Sequence, residues 1–250
     1  METKIDEAET MTEENWVLPK EDIREVIEKA RSEDRHQLME DEAREILELA
    51  GIDMAEGKVV KDIESCVETA ENLGYPVVLK VVSEDIVHKM DVGGIALGLE
   101  SKDEVEEAYQ ALHSRVKDRK PDANIRGISI AEMVENDTEV VIGGMTDATF
   151  GPVVMFGLGG IYVEIFEDVE FRIAPLSNDE AHRMMSDIDS FPLLTGARGK
   201  RCKDLDALAE MITRVSQLMY ELEEIQDIDL NPVAALNEEA KALDVSISLK

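Results

Sequence analysis

Residues 75–99 read YPVVLKVVSEDIVHKMDVGGIALGL. Residues 77–82, VVLKVV, are apolar apart from Lys80, a pattern that predicts a strand. A polar turn, SEDIVHKMDVGG, follows, and 95–99 predicts a second short strand. Lys80 has two readings. It snorkels outward from an edge strand, the common fate of such a lysine, or it holds a phosphate oxygen as a point charge. His88 sits in the polar turn ahead of Gly93-Gly94, where backbone amides can approach a phosphate closely. A histidine's ordinary pKa of about 6.5 leaves it largely neutral at pH 7, as a nucleophilic nitrogen requires. A solvated surface residue is the competing reading for His88, and the simplest one for His36, His113 and His182.

Outward from this stretch, residues 1–19 are polar and read as a mobile tail. Apolar residues at helical spacing predict helices over 21–31, 38–50 and 61–73, the last two stopped by Gly51 and Gly74. Downstream, 103–117, 178–188 and 204–222 repeat that spacing, and 125–134, 139–144, 228–230 and 242–247 read as strands. The PDAN turn at 121–124 reads as a subdomain boundary. Helices and strands mix without a strict βαβ alternation, which favours an α+β fold in two lobes. The expected division is a tail and short helix over 1–36, a first lobe over 37–124 and a second over 125–250.

The chain has 250 residues, 44% of them hydrophobic, so a sizeable core is expected. Its 57 acids against 26 bases give a formal net charge of −31. That field repels nucleic acid and anionic membrane, and neither is expected as a partner. The start of the chain is acidic and carries no basic-then-apolar leader, so a cytoplasmic location is expected. The acidity also suits a salt-rich cytoplasm, with an ordinary acidic cytosolic protein as the alternative. Cys66 and Cys202 lie far apart and read as free thiols.

Other candidates are weaker one by one. FGLGG at 156–160, including Gly159 and Gly160, is a glycine-rich turn after a strand, either wrapping a phosphate or merely tight. Glu164, Glu167, Asp168, Glu170 and Arg172 suit a metal–phosphate site or a solvated face. Arg198, Lys200, Arg201 and Lys203 form a basic cluster, either an anion or docking patch or a loop offset by nearby acids. Asp227, Asp229 and Asn231 in DIDLNP, with Asp244 beyond, read as a hairpin. It ends one strand with Asn and returns with Asp, a pair of hard oxygens suited to Mg²⁺.

The order of these blocks closely resembles the β subunit of archaeal ADP-forming acetyl-CoA synthetases. The blocks are residues 75–99, then EMVENDTEVVIGGMTDATFGPVVMFGLGGIYVEIFEDVEFRIAPL at 132–176, then LLTGARGKR and finally DIDLNP. The resemblance runs from about Leu38 to the C-terminus. It implies an ATP-grasp fold, with ATP or ADP and Mg²⁺ held between the lobes. It also implies the reversible conversion of acyl-CoA, ADP and phosphate to acid, CoA and ATP. By position, Lys80 resembles the lysine on the nucleotide phosphates and His88 the phosphohistidine that meets ADP. Glu132, Met133 and Val134 resemble the adenine-reading hinge, Glu139 a residue near the ribose or phosphates, and Asn231 and Asp244 the magnesium ligands. The implied partner is an α subunit carrying the CoA-binding and first phosphohistidine domains, in an α2β2 assembly. One departure is Met90, where the family's His-Lys-Ser-Asp turn has serine. A succinyl-CoA synthetase-type β subunit and a non-catalytic ATP-grasp regulatory module are the alternatives.

Overall fold

The computed structural model describes residues 17–86, 89–136, 138–159, 168–197 and 201–250. In chain order the described elements are α1 (Lys20–Ser32), α2 (Glu40–Leu49), β1 (Gly57–Val60), α3 (Ile63–Leu73), β2 (Val77–Val82), β3 (Ile95–Leu99), α4 (Lys102–Arg119), β4 (Gly127–Glu132), β5 (Glu139–Asp147), β6 (Gly151–Leu158), β7 (Val169–Ile173), α5 (Asn178–Asp187), α6 (Phe191–Leu194), α7 (Leu205–Glu221), β8 (Ile225–Ala235), β9 (Ala240–Ala242) and β10 (Val245–Leu249).

Capping explains several helix starts. Asp62, Ser101, Ser177 and Asp204 each accept a backbone N–H from the first turn of α3, α4, α5 and α7. Helix α2 is pinned by Glu42, which accepts the Met39 N–H at 3.0 Å. Glu42 also takes two hydrogen bonds from Arg35, both 2.7 Å.

The strands form a four-stranded sheet of order β1-β4-β2-β3 and a six-stranded sheet of order β10-β8-β5-β6-β7, with β9 paired to β8. Every pairing of these strands is antiparallel. This is the expected α+β arrangement. On β2 the residues alternate: Val77, Leu79 and Val81 enter the small sheet's core with α3 and α4, and Lys80 faces the other way. Cys66 lies in that core, where burial first and then the Asp62 charge push its thiol up to about 12.

The sheets divide the chain differently from the expected 37–124 and 125–250. Strand β4 pairs with β1 and β2 and so belongs to the small sheet. Helices α1 and α2 pack into the core of the large sheet, through Ile23, Ile27, Ile46 and Leu47. The segments on either side of α2 run beside the C-terminal strands: before it Leu38 donates to Ile247, and after it Ala55 donates to Ala242 and Ala242 to Asp53. An amphipathic period marks which face of a helix is buried, not which core buries it. The expected tail also ends sooner, since Leu18 is buried in the large core. Residues 1–16 lie outside the described residues.

Strand β8 passes through Asn231-Pro232 rather than turning there. Val140 pairs with Val233 and Ile142 with Leu230, so Asn231 and Pro232 oppose Val141 alone. Proline has no N–H for the ladder, and a bulge accommodates it. The expected hairpin therefore turns later, between β8 and β9, while β10 returns beside β8 with Val245 opposite Leu230.

Candidate functional site

Lys80 does not point outward from an edge. Strand β2 lies between β3 and β4, and the Lys80 side chain is 12% exposed. Its Nζ crosses to the large lobe, donating to the Leu243 carbonyl at 2.5 Å and lying 3.7 Å from Asp244 Oδ1. Lys89, from the turn after β2, reaches the same carboxylate, with Nζ 3.4 Å from Asp244 Oδ2.

Asp244 opens onto a cleft of about 420 Å³, whose walls include Lys89, Asp229, Asn231, Glu40 and Glu84. The cleft thus brings Asn231 and Asp244 together, with Lys80 tied to it through Asp244. The cleft walls, and then the charge of Asp244, push the Asp229 carboxyl above its usual range, although its side chain still touches solvent. Among the described residues no three His, Cys, Asp or Glu side chains converge on one metal position. Mg²⁺ needs less, since it keeps waters and phosphate oxygens and takes one or two protein oxygens. The oxygens of Asn231 and Asp244, which line one cleft together with the Asp229 carboxyl, fit that ion.

Glu40 was not legible as a site residue, because acids in a first helical turn ordinarily complement the helix dipole. Its Oε1 accepts from Ser129 Oγ at 2.5 Å, and Ser129 lies opposite Lys80 in the β2–β4 register. Its buried Oε2 has no hydrogen-bond partner among the described residues.

The expected hinge joins the lobes through a side chain. Glu132 Oε1 accepts the Glu56 N–H and Lys241 Nζ, each at 3.0 Å. Burial opposes ionisation of Glu132, but these two donors hold its carboxyl below the usual range. Met133 N–H donates to the Pro76 carbonyl at 3.1 Å, and the Val134 carbonyl accepts from Asn136 at 3.4 Å. The Glu139 carbonyl accepts the Gly159 N–H at 2.7 Å, and a Cβ on Gly159 would meet Glu139 at 3.0 Å. Glu132, Met133, Val134, Glu139 and Gly159 are not walls of the 420 Å³ cleft.

Other candidates resolve locally. The Gly93 and Gly94 amides donate to Met90 and Lys89 carbonyls, closing their own turn rather than facing a ligand. Asp168 accepts the Asp189 and Ser190 amides, and Arg172 is tied to Glu170 and Asp187. Asp227 accepts from Ser248. His113 lies 3.0 Å from the Tyr109 carbonyl and His182 3.0 Å from Asp206, while His36 is exposed. Arg201 and Lys203 line a separate shallow hollow with Glu135 and Asn136. His88, Gly160, Glu164, Glu167, Arg198 and Lys200 lie outside the described residues.

The family model described as "ATP-grasp domain" matches residues 29–249. The chain belongs to the ATP-grasp family. It is 44% identical over 226 residues to the Acetate--CoA ligase [ADP-forming] I subunit beta of Pyrococcus furiosus, covering 90% of this chain and 97% of that one. It is 40% identical over 232 residues to Acetate--CoA ligase [ADP-forming] I of Archaeoglobus fulgidus, covering 92% of this chain but 34% of that longer protein. Among solved structures, it matches the Ca. Korarchaeum cryptofilum dinucleotide forming acetyl-coenzyme A synthetase 1 in complex with coenzyme A, Ca-AMPCP and HgCl+. That match has a TM-score of 0.89 at 40% identity, covering 91% of this chain and 99% of that one. Among the described residues no helix is long and apolar enough to cross a membrane.

Proposed function

We propose that this chain is the nucleotide-handling β subunit of an ADP-forming acyl-CoA synthetase, an acid–CoA ligase acting on acetyl-CoA. The net reaction is acyl-CoA, ADP and phosphate going reversibly to acid, CoA and ATP. The observation that carries the reading is the reach of Lys80 from one lobe to the Leu243–Asp244 turn of the other, beside Asn231. The resemblance along most of the chain, and relatives named as beta subunits of such ligases, support it.

In this reading Lys80 binds and orients the nucleotide phosphates as a point charge. Asn231 and Asp244 would hold Mg²⁺, which supplies charge neutralisation on the phosphates when bound. Glu132, Met133 and Val134 border the base, with Glu139, Gly159 and Gly160 towards the ribose and phosphates. His88 supplies the nucleophilic nitrogen. In the direction of ATP synthesis its phosphorus–nitrogen bond breaks as an ADP terminal oxygen bonds the phosphorus, and the electron pair returns to the imidazole. Ile86 and Lys89, the described residues before and after 87–88, both line the cleft, which supports the reading.

The partner is an α subunit carrying the CoA-binding and first phosphohistidine domains, assembled as α2β2 in the cytoplasm. Reconstitution with that subunit tests the reading: acetyl-CoA, ADP, phosphate and Mg²⁺ should yield ATP only when both chains are present. Acetyl-CoA synthesis by this chain alone would overturn the two-subunit assignment, and no ATP from the pair would overturn the activity.

A further inference from the structure

Asp244 is held on both sides by lysines. Its Oδ1 lies 3.7 Å from Lys80 Nζ and its Oδ2 3.4 Å from Lys89 Nζ, with side-chain exposures of 23%, 12% and 19% in the order Asp244, Lys80, Lys89. Both lysines leave the small lobe, whereas Asp244 leaves the turn between β9 and β10, so these ion pairs span the lobes. The other ionisable cleft walls are Glu40, Glu84 and Asp229, and Lys89 is the sole cation among the described lining residues. Among the described residues an anion entering here meets no unclaimed positive charge, because a carboxylate already faces both lysines.

We propose that Asp244 determines specificity for the metal-bound form of a nucleoside diphosphate, by occupying Lys80 and Lys89 itself whenever the divalent cation is absent. The inference rests on the nucleotide reading above. A metal-free diphosphate must break both of these partly buried ion pairs and leave its own charge facing Asp244. A cation taken up by Asp244 and Asn231 cancels that carboxylate and turns both lysines towards the phosphates in one exchange. Lys89 thereby becomes a second phosphate-binding residue, which no strand pattern reveals because it sits in a turn.

The test is equilibrium binding of ADP to the full chain, in EDTA and in Mg²⁺, for wild type and Asp244→Asn. Asparagine keeps the side-chain oxygen that accepts the Val245 N–H at 3.1 Å, so the turn is preserved. Wild type should bind ADP far more tightly with magnesium. Asp244→Asn should bind metal-free ADP about tenfold more tightly than wild type, the order expected when two such pairs need not be broken. It should gain little from magnesium, and adding Lys89→Met should abolish the gain. Asp244→Asn binding metal-free ADP no better than wild type, while wild type binds the magnesium complex, overturns the inference and leaves the nucleotide reading standing. Wild type binding ADP under neither condition overturns both. Should Asp244→Asn not fold, Lys89→Met alone decides. It should weaken binding of the magnesium complex several-fold more than binding of metal-free ADP, and an equal loss in both overturns the gate.

Discussion

Lys80 and Leu243 are 163 positions apart and sit in different lobes, yet the Lys80 ammonium donates to the Leu243 carbonyl at 2.5 Å. An apolar strand has delivered one charge across the interlobe space to the backbone beside Asp244. That reach turns a lysine in a strand from a neutral detail into a bridge between the lobes.

Replacing Lys80 with methionine keeps the stem's packing and removes the charge. ADP binding should weaken roughly tenfold or more, with kcat falling as well, because the proposed charge-assisted contact to phosphate would be lost. Lys80→Arg should rescue little, since a planar fork replaces a point charge in a slot with 12% exposure. Steady-state kinetics with the partner subunit, alongside a thermal melt, measures both.

Glu132 and Lys241 should shape the stability–pH profile at both ends. Glu132 is held below its ordinary 4.5, so its contribution is present above that pH and is lost as pH falls through the lowered folded value. Lys241 is raised above its ordinary 10.5, chiefly by its hydrogen bond to Glu132, so its contribution is present below 10.5 and lost as pH rises through the raised value. With side chains 31% and 23% exposed, the pair contributes about 1 kcal/mol or less. Glu132→Gln should flatten the acid arm, as read by urea melts between about pH 3 and 6.

Arg35 and Glu42 form a buried pair, 8% and 6% exposed, with two bonds of 2.7 Å. Removing one partner strands the other. Arg35→Ala should cost about 3–5 kcal/mol in chemical denaturation. Activity should fall with it, because Glu42 also caps Met39, and Met39 and Glu40 wall the cleft. The double variant Arg35→Met, Glu42→Leu should recover most of the stability.

Gly94 admits no side chain. A Cβ there would meet Val81 Cγ1 at 2.5 Å and the Lys89 carbonyl at 3.0 Å. Gly94→Ala should cost about 1–3 kcal/mol through overpacking and should weaken ADP binding by shifting Lys89. Gly74→Ala makes a useful comparison: nothing lies within 4 Å, so its penalty comes only from the backbone φ of +87°, and ADP binding should hold.

The sequence made strand 77–82 and the long helices legible because their signals are local: apolar spacing, caps and terminal glycines. The limits of β2 match that reading. Strand β1 escaped because GKVV is short and draws its identity from pairing with β4, more than 65 positions away. The switch of β4 into the small sheet and of α1 and α2 into the large core are long-range choices that periodicity does not encode. Asn231 and Asp244 were legible as oxygens, but the bulge that carries β8 past Pro232 was not. Lys89 was missed because a lysine in a polar turn looks solvated until Asp244 is found beside it.

In the proposed cycle a phosphoryl group passes through His88 on its way to ADP. The most direct measurement of that passage is labelling of the complex with the α partner by γ-labelled ATP and Mg²⁺, followed by mapping of acid-labile, base-stable phosphate. Label should appear on His88 and be chased off by ADP, and both label and ATP formation should be lost in His88→Ala. Full activity in His88→Ala, with label undiminished on this chain, would contradict it.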